Sequence, residues 1–160
     1  MSTDTQVYRV FINAPAQAIW DAITTPEISH QYGYRAIANY DLRPGGAYTG
    51  RADAEMQSFG MPETVVDGEV IEADPPRKLV QTWRFLWSDE LKAEGPTRLT
   101  WEIKEQPGGV CSLTLTHELA GAPLHAEQVA GEVENAGGGW AYVLSDLKTL
   151  LETGKCLPAS

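Results

Sequence analysis

Three turn signals, "RPGG" (residues 43–46), "DPPR" (74–77) and "QPGG" (106–109), divide residues 37–118 into short segments rich in β-branched and aromatic side chains. Proline presets one turn dihedral and glycine supplies the positive φ that many hairpins need, so this punctuation predicts an antiparallel meander. "ANYDL" and "AYTGRADAEM" flank the first turn, "TVVDGEVIEA" and "KLVQTWRFLW" the second, "TRLTWEIKE" and "VCSLTLTHEL" the third. "VYRVFINA", residues 7–14, reads as a further strand. A chain divided this way is committed to one sheet, and the rest must cover it.

Alternation tells which face needs the cover. Leu99, Trp101 and Ile103 fall on one side of their segment, and Arg98, Thr100, Glu102 and Lys104 on the other. Tyr48, Ala52, Ala54 and Met56 oppose Thr49, Arg51, Asp53 and Glu55 in the same way, reading residues 47–56 as one strand. Leu79, Trp83, Phe85 and Trp87 are expected to point inward, as are Leu113, Leu115 and His117. After the first strand, "APAQAIWDAITTPE" predicts a short helix between Pro15 and Pro26, with a second short helix or turn over 27–33.

The cover lies at the C-terminal end. Val129, Val133, Ala136, Gly137, Trp140, Leu144, Leu147 and Leu151 follow three- and four-residue steps, predicting a helix from about residue 125 to 152. Gly154 stands where a helix C-cap does. Gly137, Gly138 and Gly139 sit inside that helix, each costing about 1 kcal/mol relative to alanine. They point either to a kink that follows a curved sheet or to a bare patch against which a ligand can lie.

Bulk properties exclude several classes. The chain has 160 residues with a net charge of −10, a field that repels phosphate backbones, so no nucleic-acid partner is expected. No apolar run approaches a membrane span, and residues 1–12 lack a basic segment followed by an apolar stretch, which predicts a cytoplasmic protein. The length suits one domain over residues 1–160. Cys111 and Cys156 are too few for a disulfide framework or a cysteine zinc site, and His30, His117 and His125 have no metal-ligand spacing, so no metal is expected. "GGGW" lacks the spacing and preceding strand of a dinucleotide site, and no cofactor is expected.

Five features in order, "INAPAQAIWDAITTPE", "DLRPGG", "GEVIEADPPRKLVQTW", "LTLTHE" and "GGGWAYVLSDLKTLLETG", resemble the START-like (SRPBCC) superfamily, in the branch named after the activator of heat shock protein 90 ATPase homologue. The resemblance covers nearly the whole chain. It implies an α+β helix-grip fold: a curved antiparallel sheet of six to seven strands wrapped around a long C-terminal helix, with two short helices after the first strand and an elongated cavity between sheet and helix. Superfamily members bind apolar small molecules, and a minority are enzymes.

Resemblance and facing together predict a hydrophobic small-molecule ligand. Its expected contacts are Met56, Trp83, Phe85, Trp101, His117, Gly137 and Trp140, with Tyr32 and Phe59 near the mouth. A large aromatic residue is more often core than ligand contact, but several facing one cavity make a rigid apolar lining. His117 reads either as a core-edge histidine bonded within the fold or as a polar anchor or acid/base group. No nucleophile is placed to work with it, so no catalytic residue is assigned and a binding protein is favoured over an enzyme. The alternatives are a chaperone-partner module and a cyclase- or hydrolase-like enzyme using His117. A homodimer is compatible with the sequence.

Overall fold

The computed structural model describes residues 4–134 and 137–158. β1 (Thr5–Ile12) leads into the short helices α1 (Ala16–Thr24) and α2 (Pro26–Ser29), followed by β2 (Ile37–Tyr40) and β3 (Ala47–Arg51). A one-turn helix, α3 (Ala54–Ser58), precedes the long hairpin of β4 (Thr64–Asp74) and β5 (Lys78–Phe85). Next come α4 (Asp89–Ala93), β6 (Thr97–Glu105), β7 (Cys111–Glu118), α5 (Pro123–Val129) and α6 (Gly139–Thr153). The strands form one antiparallel seven-stranded sheet in the order β1-β7-β6-β5-β4-β3-β2, so β1 crosses to the far edge to pair with β7. This is the α+β helix-grip layout, with the two short helices after the first strand. Among the described residues no helix is long and apolar enough to cross a membrane.

The inward faces follow the alternation. Leu99, Trp101 and Ile103 of β6 pair with His117, Leu115 and Leu113 of β7, and all six are buried. Leu79, Trp83 and Phe85 are buried on β5, and Trp87 packs against the core beyond it. α1 adds Ile19, Trp20 and Ile23 to the same core. Burying a large apolar side chain contributes roughly 1.5–3 kcal/mol, so this face dominates the stability of the fold.

Two boundaries differ from the sequence-based expectation, for local reasons. The segment 47–56 does not stay extended: the Asp53 carboxylate accepts a hydrogen bond from the Met56 backbone N–H at 2.9 Å, capping α3 and ending the strand at Arg51. The helix expected over 125–152 is two helices. Gly139 has φ +66°, and a Cβ there would lie 2.2 Å from the Val129 carbonyl oxygen and 2.6 Å from the Gly131 nitrogen. The chain doubles back between α5 and α6 so tightly that backbone meets backbone, and only glycine fits. Val129, Trp140, Leu144 and Leu147 are still buried, because both helices turn an apolar side inward although the helix does not continue. Ala136, assigned to the same stripe, lies outside the described residues.

Gly139 and Gly154 therefore separate strain from collision. Gly154 also has positive φ, +81°, but a Cβ there meets nothing within 4 Å. Gly154→Ala is expected to destabilise by about 1 kcal/mol, the left-handed penalty alone. Gly139→Ala, which adds the clash with Val129 and Gly131, is expected to cost about 3 kcal/mol or more. Urea denaturation of both variants measures the difference, and equal losses would contradict the close approach.

Candidate functional site

A cavity of about 480 Å³ lies between the curved sheet, the α2–β2 connection and the first turns of α6. Ala38 and Tyr40 of β2, Tyr48 of β3, Val65 and Val66 of β4, Trp83 and Phe85 of β5, and Trp101 of β6 form the sheet side. Trp140 and Val143 close it from α6, Val129 from α5, and Met56 and Met61 from α3 and the segment after it. The other strand residues point inward by the period of two, whereas the adjacent Val65 and Val66 both reach the cavity at a register shift between β3 and β4, and Trp140 does so because α6 restarts at Gly139. Aromatic faces make up much of the wall: Tyr40 stacks on Tyr48 with centroids 4.5 Å apart, Trp83 meets Phe85 edge-on at 4.4 Å, and Trp101 meets Trp140 at 5.6 Å.

Several polar atoms of this wall are held by the fold. Gln81, fully buried between Leu79 and Trp83, accepts from the Tyr40 hydroxyl at 2.7 Å and from the Trp101 Nε1 at 3.1 Å. The Tyr32 hydroxyl donates to the Ala22 carbonyl at 2.9 Å. His117, also fully buried, accepts at Nδ1 from the Trp140 Nε1 at 3.0 Å. An indole N–H only donates, so Nδ1 is unprotonated and Nε2 carries the hydrogen. That Nε2–H faces the Thr97 hydroxyl at 2.7 Å, which in turn donates to the Trp83 carbonyl at 2.6 Å. Burial, reinforced by the nearby His125, lowers the His117 pKa to about 3.

The mouth is tied down by α6. Asp146, a buried carboxylate, accepts from the Gly33 N–H at 2.9 Å and from the Leu157 N–H at 2.7 Å, clamping the connection that carries Tyr32 and Tyr34. The Tyr34 hydroxyl accepts from the Gly139 N–H at 2.9 Å, satisfying a free donor at the start of α6. Behind the wall, Glu94 accepts from the Leu124 and His125 N–H groups at 2.7 and 2.9 Å and faces His125 Nδ1 at 2.7 Å. His125 Nε2 accepts from the Phe85 N–H at 2.9 Å, joining α5 to β5. Burial opposes ionisation of Glu94, but the hydrogen bonds from His125 and the helix N-terminus outweigh it and hold the carboxyl below its ordinary value.

Of the expected contact residues, Tyr32, Met56, Trp83, Phe85, Trp101 and Trp140 line one cavity. Three do not. Phe59 is 81% exposed, because α3 turns it outward. His117 sits behind Trp140 and Thr97, with both ring nitrogens engaged. Gly137 is exposed on the connection before α6, where a Cβ would strike the Tyr34 ring. Gln81 was legible by parity, two residues from Leu79 and from Trp83, and the α2–β2 connection carried no periodic signal. Among the described residues no cluster of three or more histidine, cysteine or acidic side chains is placed to hold a metal ion. Burial pushes both thiols, Cys111 and Cys156, above their ordinary range, the wrong direction for a nucleophile.

The fold recurs in solved structures. A protein from Bordetella parapertussis, encoded by gene BPP1335, superposes with a TM-score of 0.69 at 20% identity, covering 99% of this chain and 80% of its own. CalU16 from Micromonospora echinospora gives 0.66 at 19% identity over 94% and 77%. PFC0360w, an HSP90 activator from Plasmodium falciparum, gives 0.56 at 20% identity over 95% and 89%. These likenesses are of fold. No curated protein matches the chain. The family profile matches residues 13–152, from the end of β1 through the last turn of α6, and the chain belongs to the Activator of Hsp90 ATPase homolog 1-like protein family.

Proposed function

We propose that the protein binds a hydrophobic small molecule in the cavity between the sheet and α6. One observation carries this reading: a volume of about 480 Å³, within the range of small-molecule sites, walled by aromatic and aliphatic side chains that are braced by hydrogen bonds outside the cavity. Among the described residues Arg35 is the only charged side chain on its lining, and an apolar interior favours a ligand whose bulk is uncharged. His117 braces Trp140 instead of meeting the ligand, so the geometry favours binding over acid/base chemistry. A chaperone-partner role draws on the family description and on the fold shared with the Plasmodium falciparum HSP90 activator. That role predicts stimulated ATP hydrolysis when the chain is added to an HSP90, and no stimulation would dispose of it.

Ala38 is buried on β2 and lines the cavity, so Ala38→Phe is expected to fill part of it while the fold persists. A lipophilic fluorophore bound by the wild type should lose at least about tenfold in affinity in this variant. Native mass spectrometry of protein purified from its own source checks for a carried ligand. Unchanged fluorophore affinity in folded Ala38→Phe, with no carried ligand, would remove the proposal.

The His117 pKa also has a stability consequence. Its ordinary value of 6.5 holds in the unfolded chain, against about 3 in the folded state. Between those values the unfolded chain binds one proton more, so this group's contribution to stability is complete above pH 6.5 and falls as pH drops toward 3. The slope approaches about 1.4 kcal/mol per pH unit. His117→Gln, which retains a donor and an acceptor, should flatten the dependence between pH 6.5 and 5, above most carboxylate titrations. Nitrogen-detected NMR should show the neutral Nε2–H tautomer throughout that range, and titration near 6.5 would contradict the buried network.

A further inference from the structure

Three phenols converge at the β2–β3 end of the cavity, and two of them are committed. Tyr32 donates to the Ala22 carbonyl and Tyr40 to Gln81. Tyr48, only 8% exposed, is the third. The Trp83 indole lies near its oxygen, and among the described residues the Tyr48 hydroxyl donates to no acceptor. Among the described residues no sealed side-chain polar atom lacks a partner, so this hydroxyl is open to the cavity that Tyr48 lines, where a ligand acceptor can satisfy it. The site around it is shaped for approach: the hydroxyl reclines over Gly50, where even a Cβ would come within 3.2 Å of it. The neighbouring Tyr40 ring stacks on Tyr48 at an interplanar angle of 29° and holds the phenol in place.

We propose that Tyr48 is the polar anchor of the cavity, and that the ligand is a flat, uncharged molecule with a carbonyl-type oxygen that accepts the Tyr48 O–H hydrogen bond. The inference rests on the reading that the cavity binds a small molecule. The class follows from three exclusions. A carboxylate would be desolvated at this end of the cavity, where no cationic side chain lies; the lining's one guanidinium, Arg35, is exposed on the α2–β2 connection. A ligand offering only donors would leave the Tyr48 proton without an acceptor. A pure hydrocarbon would do the same. Burial pushes the phenol up to about 12, with the Trp83 hydrogen bond opposing weakly, so Tyr48 stays a neutral donor at physiological pH. The aromatic walls of Trp83, Phe85, Trp101 and Trp140 favour a planar body over a flexible chain.

Equilibrium dialysis of 9-fluorenone and fluorene, nearly isosteric and differing in the ketone oxygen, tests this on wild type and Tyr48→Phe. The wild type is expected to prefer fluorenone by about fivefold, the worth of one neutral hydrogen bond in a dry site. Tyr48→Phe is expected to reduce that preference to about onefold, with fluorene bound at least as tightly as by the wild type because no proton is left unpaired against it. If both probes bind the wild type equally, or the preference survives in Tyr48→Phe, the Tyr48 proposal is overturned while the cavity reading stands. If neither probe binds, the cavity reading falls and this inference with it. A second readout needs no ligand. Because the hydroxyl donates to nothing among the described residues, Tyr48→Phe should melt within about 2 °C of wild type, and a clearly larger fall would assign the proton a structural partner and overturn the proposal.

Discussion

The indole of Trp140 donating to the imidazole of His117 is the contact on which the arrangement of sheet, helix and cavity depends. It crosses from the first turn of α6 to the inward face near the end of β7, where His117 pairs with Leu99 at the start of β6. Because His117 is fully buried, breaking this bond would strand either an indole N–H or a ring nitrogen away from water, a cost of about 1–3 kcal/mol. The chain continues from His117 through Thr97 to the Trp83 carbonyl, so one line of hydrogen bonds joins α6, β7, β6 and β5. The helix is thereby held over the sheet at one end, and the space left between them becomes the cavity.

The break before α6 serves the same geometry. A continuous helix through residues 130–138 would carry Trp140 along a straight axis, whereas the tight reversal at Gly131 and Gly139 lets α5 and α6 approach the sheet separately. α5 is anchored by Glu94 and by the Phe85–His125 hydrogen bond, and α6 by Trp140 and Asp146. Two short elements with independent anchors follow a curved sheet more closely than one rigid rod. The glycines let backbone pass backbone where the two helices meet, and Gly139 also borders the cavity.

Much of this was legible because strands have a period of two. Trp83, Phe85 and Trp101 could be assigned to the interior from their spacing alone, and so could His117 and Gln81, since parity reports facing whatever the chemistry of the side chain. Facing is not access, and His117 shows the difference: it points inward, but Trp140, distant in sequence, stands between it and the cavity. Helical periodicity failed over residues 125–152 for a related reason. Three- and four-residue spacing can persist across a break, and only the positive φ at Gly137 and Gly139 distinguishes the two cases. The Glu94–His125 and Asp146–Gly33 contacts join residues 31 and 113 positions apart with no shared pattern, so nothing local could announce them.

What keeps such a cavity from collapsing is the way its rings are held. Trp101 is fixed by Gln81, Trp140 by His117, Tyr40 by Gln81 and Tyr32 by the Ala22 carbonyl, so each ring would have to give up a buried hydrogen bond to swing inward. Closing the space would gain apolar contact at that expense, once for every ring that moved. The aromatic wall is therefore preorganised, and a ligand entering it does not have to order the side chains it meets. On the proposed binding role, an interior of this kind would discriminate by shape first, and the few polar atoms not already committed to the wall would decide between ligands of the same shape.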